Sequence, residues 1–279
     1  ANNTYSGGTT VSGGTLRAEA QSALGAVAGT VTVANGATLA LAGAGDISYD
    51  ANALTLNGAG VSSAGALTTV AGVSGNKTWT GTVNLATDSS IGAAVGTNLT
   101  VSGIVSGSGV LTKVGDGTLS LTAANTYTGA THLEAGTLRI ATDSNLGAAP
   151  GSATAGHLTF DGGTLNTTAT ATLNANRGIT LGGGGGTIDT NASTTLTYNG
   201  VATGSGTLAK TGSGILELGG ANTYTGATNI NAGTLRLGAN DTLANATAVT
   251  GAGGATFDVA SRTDTICSLA GAGSVTLGS

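Results

Sequence analysis

This 279-residue sequence has little of what usually carries chemistry or charge. It holds one cysteine, Cys267, so no disulfide can staple it. A single proline excludes a collagen-like triple helix, which needs Pro throughout and Gly at every third position. Methionine is absent and aromatic residues are 3% of the chain. Charged residues reach only 8%, and eight Lys and Arg against thirteen Asp and Glu leave a net charge of −5. The basic residues are scattered, so they cannot form the clustered footprint that phosphate backbones require; no nucleic-acid partner is expected. The longest apolar stretch, Ala37 to Ala44, is broken by Gly43 and falls well short of the ~18 residues of a membrane span. The first residues carry no signal-peptide pattern. Ordinary disorder is excluded as well, because hydrophobic residues are 39% and mean hydropathy is +0.25. One Cys and no Met suit a chain that crosses an oxidising periplasm.

What the chain does have is 51 Gly, 51 Thr and an internal repeat. Lys113-Val-Gly-Asp-Gly-Thr-Leu-Ser-Leu121 corresponds to Lys210-Thr-Gly-Ser-Gly-Ile-Leu-Glu-Leu218. Asn125-Thr-Tyr-Thr-Gly129 corresponds to Asn222-Thr-Tyr-Thr-Gly226, and Ala135-Gly-Thr-Leu-Arg139 to Ala232-Gly-Thr-Leu-Arg236. Each pair is offset by 97 residues (113 to 210, 125 to 222, 135 to 232). The N-terminus repeats the second half of the unit, Asn3-Thr-Tyr-Ser-Gly7 and Gly13-Gly-Thr-Leu-Arg17, 122 residues before its partners (3 to 125). The two offsets differ by 25, about one coil of a solenoid, and the surplus coil is expected within Ser62–Gly92. A leucine follows each Arg by seven positions, at Leu24, Leu146 and Leu243.

Within a unit the pattern is strand, turn, strand. Leu216 and Leu218 flank Glu217, Leu235 and Leu237 flank Arg236, and Leu138 and Ile140 flank Arg139. That period of two points the aliphatic side chains inward and the charges outward. Asn-Gly, Ala-Gly and Gly-Gly pairs between the runs suit corners that need positive φ. Strands of three to five residues are too short for a sandwich or a typical barrel, and no segment shows sustained helical periodicity. The expected fold is therefore all-β: a right-handed parallel β-helix (β-solenoid), running through residues 1–279 as one segment of a longer rod. Coils of 20–25 residues at ~4.8 Å each give roughly 11–14 coils over on the order of 55–65 Å. The segment reading follows because the chain starts inside one repeat and ends inside another, Gly271-Ala-Gly-Ser-Val275 echoing Gly204-Ser-Gly-Thr-Leu208. Asp at Leu138 or Leu235 should unfold neighbouring coils, whereas Asp at Arg236 should be tolerated.

The run from Gly206 to Arg236, the copy from Gly109 to Arg139 and the half-copy from Ala1 to Arg17 resemble the passenger-associated repeat of bacterial autotransporters. With their flanks, the repeats lie near 1–17, 103–140 and 200–237. The resemblance implies a passenger on the cell surface, exported through an outer-membrane β-barrel of the same parent polypeptide. It further implies a structural, secretion-supporting stalk within an adhesin or autoaggregation protein. Its partners would then be homotypic contacts or a host or matrix surface ligand. A self-assembling subunit of an extracellular fibre or sheet is the alternative, and a polysaccharide-active β-helix enzyme a remote one.

No catalytic, cofactor or metal residues are expected. His132 occupies the position of Thr10 and Asn229 and reads as outward, and His157, at a strand start, as solvent-exposed. Lys113 and Lys210, like Arg17, Arg139 and Arg236, are taken as solvated outward positions of the repeat. Zinc would need several Cys and His at ligand spacing, and Gly185-Gly-Thr-Ile-Asp189 is a poor match to a calcium β-roll. Gly182 to Gly186 reads as a corner, since a phosphate loop needs a following helix. Tyr5, Tyr127 and Tyr224, each after Asn-Thr, are candidate surface contacts for a carbohydrate or protein. The competing reading packs them on coil corners beneath Gly. Cys267 is expected to be a small buried hydrophobe near Ile266 and Leu269.

Overall fold

The alternation of apolar and polar residues becomes, in a computed structural model that describes residues 2–278, a stack of short parallel strands. The chain forms a β-solenoid of about 12 turns, divided between two compact units. Unit 1 is residues 1–139 with 144–148, and unit 2 is residues 140–143 with 149–279. Helical structure among the described residues is limited to the single turns Val61–Ser63 and Asp143–Leu146, and no helix is long and apolar enough to cross a membrane.

In unit 1 each strand pairs with the one a turn later. Val31 lies against Leu54, Leu54 against Val83, and Val83 against Val105, all in parallel register. A second column runs Asn76, Asn98, Thr118, Thr137. In unit 2 a column runs Leu196, Leu216, Leu235, Phe257 and Val275, and another Leu208, Thr228, Val249 and Leu269. Every second side chain in these columns points inward, most of them aliphatic. Val31, Val83, Val105, Leu99, Leu119, Leu138, Leu196, Leu216 and Leu235 are all fully buried. Stacked branched side chains line a narrow interior, while backbone groups pair with the turns above and below.

Turn length varies along the chain. In the repeats, partners lie 19 or 20 residues apart, as in Thr118 with Thr137 and Leu208 with Thr228. Between residues 39 and 83 the step grows to 28, 29 and 30 residues, for Leu39 with Leu67, Leu54 with Val83 and Ile47 with Lys77. These wide turns house the bulkiest interior pair, Tyr49 and Trp79, whose rings stack with centroids 6.4 Å apart. The Tyr49 hydroxyl donates to the carbonyls of Ala18 (2.8 Å) and Ala42 (2.6 Å), which satisfies a buried polar tip. Burial pushes that hydroxyl up to about 12.

Two expectations about exposure are corrected. His157 is buried rather than solvent-exposed, because a register shift between Thr154 and Leu158 breaks the alternation and turns both His157 and Leu158 inward. Cys267 is exposed rather than buried: it leads into Ser268–Gly271, a strand of the last described turn, which is covered on one side only.

Candidate functional site

The residues that make the repeat recognisable converge on the corners of the turns, and there they face inward. Lys113 and Lys210 are fully buried, which corrects their assignment as solvated positions. The strand alternation gives the reason. Lys113 shares the inward side of its strand with Leu111, and lies in register between Ile91 and Leu133. Lys210 lies between Ile188 and Ile230. Each lysine stem thus takes one rung of an aliphatic column, and its ammonium reaches the corner at the end.

There it meets backbone carbonyls. Lys113 Nζ donates to Val114 (2.9 Å), Gly115 and Ala135 (3.1 Å). Lys210 Nζ donates in the same way to Thr211, Gly212 (2.7 Å) and Ala232 (3.2 Å). Three donors meet three acceptors, two from the lysine's own corner and one from the next turn. Gly115 and Gly212 allow this corner: both have positive φ, 72° and 67°. A Cβ would fall 2.5 Å from the Ala93 carbonyl at Gly115 and 2.2 Å from the Thr190 carbonyl at Gly212. Lys77, outside the repeats, forms a similar cage with Gly45, Ser74 and Gly75. Burial pulls Lys113 and Lys210 down to about 8, against the pull of Asp116 and Asp189 respectively.

The Asn of the second block ties three turns together. Asn125 Oδ1 accepts the Val105 N–H (2.8 Å), and its Nδ2 donates to the Asn145 carbonyl (2.6 Å), twenty residues either side. Asn222 does the same with Ala202 (2.8 Å) and Thr242 (2.9 Å). The tyrosines follow. Tyr127 and Tyr224 are fully buried, their hydroxyls paired with Thr131 Oγ1 (2.8 Å) and Thr228 Oγ1 (2.6 Å), so neither presents a surface contact. Tyr5, paired with Thr9 Oγ1 at 2.6 Å, is 44% exposed. Gly147 and Gly25 lie directly on the Tyr127 and Tyr5 rings, where a Cβ would come within 2.9 Å and 2.5 Å.

The outward charges are mostly engaged. Arg236 lies in register between Glu217 and Asp258 and pairs with both, at 3.7 and 3.0 Å. Arg17 pairs with Glu19 at 3.3 Å. Arg177 is buried and forks onto Asp143, Nε to Oδ1 at 2.8 Å and a terminal nitrogen to Oδ2 at 3.2 Å. Arg139 is exposed, His132 is half-buried, and Asp189 accepts from Asn166 Nδ2 (2.7 Å) and Thr211 Oγ1 (3.2 Å) as an ordinary hydrogen-bond partner. Sequence reasoning missed the lysine cages and the Asn ties. The available signal was the alternation itself, which places Lys113 on the same side as Leu111.

Comparison with known proteins agrees with this repeat structure. The model of the passenger-associated-transport-repeat family matches residues 1–18, 111–140 and 208–237. The chain is 42% identical over 134 residues to the adhesin BmaC autotransporter of Brucella suis biovar 1 (strain 1330). That match covers 48% of this chain and 4% of the much longer relative. No solved structure matches.

Proposed function

We propose that this chain, a segment of an autotransporter passenger, is a stalk that holds an adhesin-type protein away from the cell surface and supports its own export. The observation that carries the reading is the direction in which the repeat residues face. Lys113, Lys210, Asn125 and Asn222 point inward and bond the backbone of adjoining turns. A repeat built for ligand contact would present its recurring residues outward. One built for ordered stacking makes each turn complete its neighbour, and this one does. Such turns can fold one after another as the chain emerges, because each needs only the adjacent turn. Attachment through an outer-membrane barrel of the parent polypeptide belongs to this reading, as does a non-enzymatic role.

The test is protease shaving of intact cells that display this segment, epitope-tagged, ahead of an autotransporter barrel. The tag should be lost to added protease. Paired Lys113→Met and Lys210→Met substitutions should reduce the surface-exposed amount severalfold at equal synthesis. A tag protected from protease on intact cells would overturn the surface reading, and an undiminished surface amount in the double variant would overturn the export role of the cages.

A further inference from the structure

We propose that unit 1 carries a binding groove for a neutral oligosaccharide, lined by Asn35, Asn57, Thr87 and Asp88. This deepens the adhesin-type reading and rests on it. The groove arises from one irregularity. Leu56 pairs with Leu85, but Gly58 pairs with Ser89, so the later strand carries two more residues than the earlier one between the same two pairings. The surplus pushes Thr87 and Asp88 outward, opposite the corner that holds Asn35. Between them lies a shallow depression of about 560 Å³, largely open to solvent.

Its walls are fixed by internal bonds. Asn57 Nδ2 donates to the Val33 carbonyl (2.9 Å), the Gly58 N–H to Thr87 Oγ1 (3.1 Å) and the Val110 N–H to Asp88 Oδ1 (2.9 Å). Asn35 lies over Gly58, where a Cβ would strike its Oδ1, so the glycine makes room for the Asn35 amide at the edge of the depression. What those bonds leave is the whole Asn35 amide, Asn57 Oδ1 and Asp88 Oδ2, none paired within the described residues. The groove continues onto an outward column of Thr10, Thr32, Thr55, Asn84 and Ser106, in register from turn to turn. That column offers a hydroxyl or amide every ~4.8 Å.

The chemistry selects the ligand class. A carboxylate accepting from hydroxyls, beside an amide that both donates and accepts, matches adjacent hydroxyl groups on a sugar ring. No lysine, arginine or aromatic residue lines the groove. A single carboxylate and no cation disfavour phosphate, sulfate and uronate groups. Elsewhere three lysines are caged and Arg17, Arg177 and Arg236 are paired with carboxylates, which leaves Arg139 and Arg262 as the other exposed cations, neither of them in the lining. A peptide with apolar anchors finds no apolar pocket here, since Ala34 is the one hydrophobic side chain in the lining.

The test is isothermal titration of the 279-residue chain with neutral gluco-, manno-, galacto- and xylo-hexasaccharides, with a heparin hexasaccharide as the charged control. At least one neutral probe should bind and heparin should not. Asn35→Ala should weaken binding roughly tenfold, with Asn35→Asp as the shape-preserving second variant. Asn229→Ala, on an outward strand position of unit 2, should leave affinity unchanged. The proposal fails if no neutral probe binds up to millimolar concentration, if heparin binds more tightly, or if the Asn35 variants bind like the parent. It fails equally if the face pairs two copies of this chain, seen as self-association that Asp88→Asn with Asn35→Ala abolishes. Binding to the isolated chain does not depend on where the chain is displayed, so this result and the protease-shaving result fail separately.

Discussion

A lysine in an aliphatic column is tolerable only where its ammonium is fully met, and the repeat supplies three carbonyls for each one. Lys113→Met keeps the apolar stem and removes the donors, taking the ammonium from the carbonyls of Gly115 and Ala135 and leaving Val114 with the Ala93 N–H (3.2 Å). Loss of that cap should destabilise unit 1 by about 1–3 kcal/mol, the usual cost of unmet buried polar groups. Thermal unfolding followed by Trp79 fluorescence reads this directly, since Trp79 is the single tryptophan and is buried in unit 1. An unchanged or raised melting point would mean that removing the buried charge outweighs the lost bonds. The lysine was misread from sequence because a charge was given priority over the alternation that placed it. The tyrosines were ambiguous for a different reason. Whether Tyr127 stands out or folds under Gly147 depends on the rotamer at a corner, and periodicity does not fix rotamers.

For the strands, the sequence carried most of the answer. The inward positions of Leu138 and Leu235, the outward positions of Arg139 and Arg236, and the parallel stacking all follow from alternation and from the 97-residue offset. Register between columns did not follow, because it depends on how many residues each corner absorbs. The outward ladder in unit 2 therefore emerged only in three dimensions. Glu217, Arg236 and Asp258 are directly opposite one another on successive strands. This changes the expectation for Arg236→Asp, which sequence alone gave as tolerated. The variant would stack three carboxylates at neighbouring positions, with like charges directly opposed. A loss of about 0.5–2 kcal/mol, from two lost pairs and two new repulsions, should appear at low ionic strength and shrink as salt is added. Urea unfolding at two salt concentrations checks both. A loss that does not respond to salt would assign the effect to packing of the arginine stem.

At the scale of the whole molecule, buried titratable groups make stability depend on alkaline pH in two opposed ways. Lys113 and Lys210 fall from the usual 10.5 to about 8 on burial. Between those values the unfolded chain binds more protons than the folded one, so stability rises with pH through the window. The slope approaches ~1.4 kcal/mol per pH unit for each lysine. Tyr49, Tyr198 and Tyr224 rise from 10 to about 12, chiefly because burial disfavours the phenolate. From pH 10 to 12 the folded state keeps protons that the unfolded chain loses, so stability falls with a similar slope for each tyrosine. The two effects place a maximum near pH 10. The lowered lysines are unevenly shared: unit 1 holds Lys113 and Lys77, and unit 2 holds Lys210. Unit 1, followed by Trp79 fluorescence, should therefore rise more steeply from pH 8 to 10 than the whole chain followed by circular dichroism. A flat profile from pH 8 to 10 would show that the three carbonyls around each ammonium offset burial in full, and that the cages hold their lysines charged well above pH 8.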